Sequence, residues 1–415
     1  MLTLRVAIIG AGRMGKIRAL SARAHPQCEV VHVSDQAADL ARALSLEFSC
    51  SYGTHWRQAV ERDDVDAVVV ATPHKFLAPI AAAAVRHGKY VFCEKPMARS
   101  STEGKEILAA LGRSKDATLA PAVVVGYTLR HHAAIARAKE LVSSGAIGEP
   151  FYVRGRYGHG GRSGYEREWR GNRELAGGGE LLDQGVHLID LSRWILGEFS
   201  QVFGFVNSYF WKPEQKSSCH DSTGELSADE SLGGKNVEDN AFILMRTAQE
   251  KTAMLHVSWT QWKNLFTFEI FGPQGSVSVD GLGGSYGEER LTLARRLSGG
   301  GAPEMTEIPF NQVASAGNGG DGWRANQEEA AITVTTNCWD EEWADFVRAI
   351  EKPNPKRAAT AADGYENLKI VDALYHSARH NTPVNLNSFH RHSEGESKKL
   401  DVACSAPVSE VHGQL

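Results

Sequence analysis

Two groups of residues in this chain have types and spacing that chemistry can use. The stretch Val91-Phe-Cys-Glu94-Lys95-Pro96 ends an apolar run on two opposite charges and a proline, delivering a lysine to a strand exit. Pro96 fixes its own φ and restricts the residue before it, so Lys95 is stiffer than a surface lysine. Further on, Gly177-Gly-Gly-Glu-Leu-Leu-Asp183-Gln-Gly-Val-His187 places a carboxylate and an imidazole four residues apart, hence on one helical face and within mutual reach. A carboxylate beside an imidazole can hold a general base in its working tautomer. The glycine run before it is costly unless something must approach closely. Plainer readings stand beside these: a solvated loop ion pair at Glu94-Lys95, and a helix whose Asp183 and His187 face water or satisfy each other. A metal site is not expected, because no third ligand is evident and the H-E-x-x-H spacing is lacking.

A third group is a cradle for a ligand. Val6-Ala-Ile-Ile-Gly10-Ala11-Gly12-Arg13-Met14-Gly15 is a G-x-G-x-x-G between a strand pattern and a helix pattern. Gly10 suits a tight turn, Gly12 the close approach of a pyrophosphate, and Gly15 the packing of helix on strand, with the helix N-terminus facing the phosphates. Asp35 ends the second strand pattern about 20 residues on, placed to bind the adenosine ribose hydroxyls. A negative charge there disfavours a 2′-phosphate, so NAD is expected over NADP. A structural glycine turn beside a solvated aspartate is the plainer alternative. Thr72, Pro73 and His74 follow the third buried strand pattern, and Glu94 and Lys95 the next. Both exits lie on the sheet edge where open α/β sheets bind ligands.

These groups need elements to hold them. Leu4–Ile9, Glu29–Val33, Ala67–Ala71, Tyr90–Cys93 and Ala122–Val125 read as buried parallel strands, with helices over Met14–Ala24, Ala37–Leu44 and Leu77–His87. This alternation predicts an α/β, doubly wound parallel sheet over residues 1–128. Residues 129–386 predict an α+β domain with a mostly antiparallel sheet. Its strands are Phe151–Tyr157, Gln201–Trp211, Ala241–Thr247, Thr252–Trp259, Phe266–Phe271 and Ser276–Asp280, and its late helices Trp339–Ile350 and Ala359–Ala378. Gly272–Gly275 reads as a hairpin turn. Lys212–Lys235 and Gly281–Asn326 are expected to be loops, and 387–415 a disordered tail.

Composition excludes some functions. The 415 residues exceed what one hydrophobic core supports, so two domains are expected. With 45 basic against 50 acidic residues the net charge is −5, which gives no electrostatic argument for nucleic acid or an anionic membrane, both of which want a basic face. No apolar segment approaches the roughly 20 residues that span a bilayer. The first residues run straight into the glycine turn and are not expected to be a secretion signal. Six scattered cysteines without a C-x-x-C pair suit a reducing cytoplasm.

The glycine fingerprint, Glu94-Lys95-Pro96 and Gly177…Asp183-x-Gly-x-His187, in this order and at these separations, resemble the Gfo/Idh/MocA oxidoreductases. These are relatives of glucose–fructose oxidoreductase and inositol dehydrogenase. The likeness runs to about residue 386 and includes Gly126-Tyr127-Thr128-Leu129-Arg130 and Ala362-Asp363-Gly364. It implies an N-terminal Rossmann domain and a C-terminal domain whose open sheet covers the nicotinamide and makes the contact of a homo-oligomer, dimer or tetramer. It further implies that Lys95 contacts nicotinamide and the reacting hydroxyl, often ahead of a cis proline. Asp183 would then bind substrate, His187 be catalytic, and Tyr127, Arg130 and Arg170 lie at the substrate. The likeness departs at His74 and Leu77, which stand where many members carry Asn and then His.

The implied reaction is reversible oxidation of a secondary alcohol on a sugar, nucleotide sugar or cyclitol, with hydride passing to nicotinamide. His187 would take the hydroxyl proton, Lys95 would stabilise the oxygen, and Asp183 would orient His187 or grip a neighbouring hydroxyl. Two other readings are a glycosidase or lyase that oxidises transiently and re-reduces, and a non-catalytic protein that reads the dinucleotide. Arg154, Arg156, His159, Arg162, Tyr165, Arg167, Trp169 and Arg170 precede the glycine run. They could grip an anionic sugar or form a solvated basic loop.

Overall fold

The structure is a computed structural model and describes residues 3–112, 123–161, 168–210, 237–308, 338–351 and 357–389. The first third runs β1 (Leu4–Ile9), α1 (Arg13–Ala24), β2 (Cys28–Ser34), α2 (Ala38–Phe48), β3 (Ser51–Gly53), α3 (Trp56–Glu61), β4 (Ala67–Val70), α4 (His74–Arg86), β5 (Tyr90–Glu94), α5 (Ser101–Gly112) and β6 (Val123–Gly126). Its six strands lie in the order β6-β5-β4-β1-β2-β3, all parallel. The four residues of β4 have no exposed surface, as expected of a continuous apolar strand covered on both faces. The strand order reverses between β1 and β4, and the glycine loop and Thr72 both leave the sheet at this switch point. Ligands bind at such a crevice.

The second part runs α6 (Ala133–Ser143), β7 (Tyr152–Gly158), α7 (Arg173–Ala176), α8 (Val186–Leu196), β8 (Phe199–Asn207), β9 (Asn240–Thr247), β10 (Thr252–Ser258), β11 (Leu265–Gly272), β12 (Gly275–Asp280), β13 (Arg290–Arg295) and β14 (Glu304–Ile308). It ends with α9 (Cys338–Glu351), β15 (Ala359–Thr360), α10 (Ala361–His380) and β16 (Val384–Asn385). The nine-stranded sheet is ordered β14-β13-β12-β11-β7-β10-β9-β8-β16. Its pairs are antiparallel except β7 with β10. The hairpin at Gly272–Gly275 forms as expected, joining β11 to β12.

Two expectations change. Part of Gly281–Asn326 is sheet, not loop: β13 alternates, burying Leu291 and Leu293 while its other side chains lie in or near solvent. A cut at residue 128 also does not describe the first sheet completely. Strand β15 pairs antiparallel with β6, and α9 packs on α1, where Trp343 and Phe346 join Val6, Ile8 and Phe92 in one apolar cluster. From β15 the chain enters α10, which packs on α5, α8 and β8 before β16 joins the second sheet. A single helix thus braces both sheets around the site. The segment Lys212–Lys235, residues 309–326 and the tail from 390 lie outside the described residues.

Candidate active site

The glycine loop has the shape of a dinucleotide cradle. Gly10 has φ +99°, and a Cβ there would stand 2.4 Å from the Ala71 carbonyl oxygen. A Cβ on Gly15 would stand 1.7 Å from the Gly10 oxygen. At Gly12, by contrast, a Cβ would meet nothing within 4 Å, so the backbone there fronts open space. Gly12 caps α1, whose first residues are Arg13 and Met14 and whose first turn has neither a side-chain cap nor an acid. Open amides at a helix start, beside a glycine with room in front of it, fit a pyrophosphate. Asp35 accepts from the Ala11 amide at 2.7 Å and the Ala37 amide at 2.9 Å, which holds the loop and leaves carboxylate lone pairs for ribose hydroxyls. On the facing edge, Thr72 Oγ1 is buried without a partner and Pro73 leads into α4. The residues present fit a dinucleotide.

Lys95 and Asp183 meet across the two parts of the chain. The Lys95–Pro96 bond is cis. Lys95 Nζ donates to Asp183 Oδ1 at 2.6 Å and to the Asp183 carbonyl at 2.8 Å. Arg170, whose guanidinium lies over Trp169, approaches the other carboxylate oxygen at 3.3 Å. Burial opposes the charge on Asp183, but the Lys95 ammonium and the Arg170 guanidinium hold its carboxyl well below the usual carboxylate range. His74 Nδ1–H donates to the Ala176 carbonyl at 2.8 Å and its ring stands edge-on to Trp169. Burial pushes His74 down to about 3, so it is a neutral wall of the site.

The expected pairing of Asp183 with His187 is not made. Residues Leu181–Gly185 form one turn of π-helix ahead of α8, and this wider turn rotates Asp183 away from the α-helical i,i+4 alignment. Asp183 goes to Lys95 instead. His187 lies between Tyr127 and Tyr157, whose rings meet it edge-on at 5.9 and 6.1 Å, and its Nδ1 is buried without a partner. Burial, then the Lys95 ammonium, lowers His187 well below the ordinary imidazole value, so the ring is uncharged at neutral pH.

Other residues at this wall are not among the candidates named from the sequence. Glu180 and Gln184 precede and follow Asp183; both Glu180 oxygens and Gln184 Oε1 are buried without partners. Burial, then the Asp183 charge, raises Glu180 well above the usual carboxyl range. Tyr157 and Tyr286 stand 5.5 Å apart, ring to ring, beside them. The spacing of Glu180 and Gln184 around Asp183 is a signal the sequence does contain; Tyr286, from a polar connection, leaves none.

Several candidates lie elsewhere. Glu94 is in a buried ion pair with Arg18 at 2.6 Å, not in the crevice. Arg130 pairs with Asp190 at 2.7 and 2.6 Å, so these two are structural partners. Arg154 and Arg156 sit at outward positions of β7, Arg154 paired with Glu269 at 2.7 Å. Neither reaches the site, because alternate strand residues face opposite sides. His159 is buried and accepts from the Gly161 amide. Arg162, Tyr165 and Arg167 lie outside the described residues.

The glycine loop fits a dinucleotide, and comparison with known proteins supplies the class. Residues 4–121 match the family described as "Oxidoreductase family, NAD-binding Rossmann fold", and residues 135–278 the GFO/IDH/MocA C-terminal domain. Levoglucosan dehydrogenase of Pseudarthrobacter phenanthrenivorans is 32% identical over 296 residues, 67% of this chain and 73% of that protein. Inositol 2-dehydrogenase of Rhizobium meliloti is 24% identical over 389 residues, 93% of this chain and 100% of the other. The 2,7-anhydro-N-acetylneuraminate hydratase of Mediterraneibacter gnavus is 25% identical over 290 residues, 68% of each. The solved complex of levoglucosan dehydrogenase with NADH and L-sorbose superposes with a TM-score of 0.74 at 26% identity, covering 93% of this chain and 99% of that one. This chain belongs to the Gfo/Idh/MocA family and is an NAD-binding oxidoreductase.

Proposed function

We propose that the protein is a dehydrogenase for a secondary alcohol of an uncharged sugar or cyclitol. The observation that carries this is the Lys95–Asp183 contact beside an uncharged, unpartnered His187. An ammonium has three donors, and Asp183 takes two, so one N–H of Lys95 is left for a substrate oxygen. His187 accepts the proton of that hydroxyl. Lys95 and Arg170 against Asp183 give the site one net positive charge, which suits the developing alkoxide. The bound nicotinamide supplies the hydride acceptor. An uncharged substrate is supported by the two relatives named for levoglucosan and inositol and by the placement of Arg154 and Arg156 outside the site. A screen for NADH formation across free sugars, cyclitols and nucleotide sugars tests the proposal; turnover of none of them, or of a nucleotide sugar alone, contradicts it.

A second reading, transient oxidation with return of the hydride, has one support, the relative named as a hydratase. It predicts product without NADH accumulation. The outward face of the second sheet supports self-association. There Phe205, Phe242 and His256 form one row across β8, β9 and β10, and Phe203, Leu244 and Met254 the next, with Phe205, Phe242, Leu244 and Met254 each at least 40% exposed. The proposed occupant is a second copy of the chain, and Leu244→Glu should lower the mass seen by light scattering. A cytoplasmic location is supported by Cys28, Cys50, Cys93 and Cys338, all unpaired. No helix among the described residues is long and apolar enough to cross a membrane.

A further inference from the structure

Arg18 lies in the second turn of α1 with no exposed surface. Its Nε donates to Glu94 Oε1 at 2.6 Å, its Nη1 to Glu342 Oε2 at 2.7 Å and its Nη2 to Thr128 Oγ1 at 3.3 Å. The Thr128 hydroxyl donates to the same Glu342 oxygen at 2.6 Å. The guanidinium also stands over Phe92, 4.2 Å from the ring centre, and Trp339, at 4.8 Å. One side chain therefore joins α1, the end of β5, the turn after β6 and α9. A forked cation between carboxylates in a dry interior has one good geometry, and a displacement would leave a buried charge unpaired.

What this cluster grips is the root of Lys95. Glu94 is the last residue of β5, and its side chain runs to Arg18 while that of Lys95 runs to Asp183. The turn between them closes with the Met97 amide on the Glu94 carbonyl at 3.2 Å. The same helix that carries Arg18 presents its N-terminus to the dinucleotide cradle. We propose that Arg18 is a positioning residue that ties the helix receiving the dinucleotide to the turn carrying Lys95, and so fixes the ammonium at the reacting oxygen. This rests on the function proposed above for Lys95. Glu342 makes α9, from the far end of the chain, a working part of the site's foundation.

The test uses the full-length chain as Arg18→Met/Glu342→Gln, which removes one cation and one anion together, and as Arg18→Lys, which keeps the charge but not the fork. Lys95 is labelled by reductive methylation of the protein without dinucleotide and quantified by peptide mass spectrometry; NADH affinity is read by fluorescence titration and folding by thermal melting. A displacement of about 1 Å costs a site about 100-fold. The expected result for the double variant is a turnover loss of roughly that size with NADH affinity within about threefold of wild type. Lys95 should label about tenfold faster once it is loose from Asp183, and Arg18→Lys should fall between. A folded double variant that labels Lys95 at the wild-type rate overturns the proposal. If that variant does not fold, wild-type labelling in Arg18→Lys overturns it equally. Labelling needs no substrate, so a failure of the sugar screen leaves this result readable and counts against the proposed function alone.

Discussion

Replacing His74 by glutamine should remove a pH-dependent loss of stability of about 2 kcal/mol between pH 8 and pH 5. Burial holds the folded His74 near 3 against an ordinary 6.5, with the Asp183 charge only partly opposing. A depressed histidine means that the unfolded chain takes up its proton first. Its stability contribution is complete above about pH 6.5 and declines as pH falls toward the folded value. Integrating that difference from pH 8 to pH 5 gives the figure above, since each unit is worth about 1.4 kcal/mol. Glu180, Glu94 and Glu238 are raised by burial and act in the opposite direction over the same range, so the absolute stability of the wild type is not diagnostic. The difference between wild type and variant is. Glutamine also keeps a donor for the Ala176 carbonyl, and any constant offset cancels. Denaturant unfolding of both proteins at pH 8 and pH 5 should show the gap moving in favour of His74→Gln on acidification. A gap that stays constant, or moves the other way, refutes the placement of a neutral His74 in the site wall.

Gly12→Ala and Gly15→Ala should separate cradle from scaffold. The first adds a methyl to open space and should leave melting unchanged while weakening NADH binding; the second drives a methyl into the Gly10 carbonyl and should abolish the folded protein. NADH affinity retained in Gly12→Ala would show that the pyrophosphate does not sit there. Glu180→Gln should be tolerated near pH 5 and become increasingly stabilising toward higher pH, because the raised Glu180 carboxyl loses stability as pH climbs above its unfolded value. A melt difference that does not change with pH would mean that Glu180 is not held neutral.

The first sheet was legible because parallel strands buried on both faces write themselves as unbroken apolar runs, and because a glycine fingerprint constrains backbone, not side chains. Strand β3, whose first two residues are exposed, and α5, which opens Ser-Thr-Glu-Gly-Lys-Glu, offer no such run. Strand β14 hid in polar sequence because it is the edge strand, where few side chains need burial, and β13 beside it buries only Leu291 and Leu293. In the candidate site, Lys95, Asp183 and His187 stood out in the sequence, but the pairing among them did not. Four-residue spacing brings Asp183 to His187 on an α-helix, and a single π turn sends it to Lys95. The Arg18 cluster spans residues 18 to 342, and no local pattern marks an arginine on the buried face of a helix.

Turnover of Lys95→Met, measured beside its NADH affinity, bears most directly on the claim that the two parts of the chain meet at one reacting oxygen. A placed proton-transfer or charge-stabilising group contributes about 100- to 10,000-fold. The variant should therefore oxidise its sugar or cyclitol at least about 100-fold more slowly while binding NADH within about threefold of wild type. Turnover within about tenfold of wild type would contradict the account.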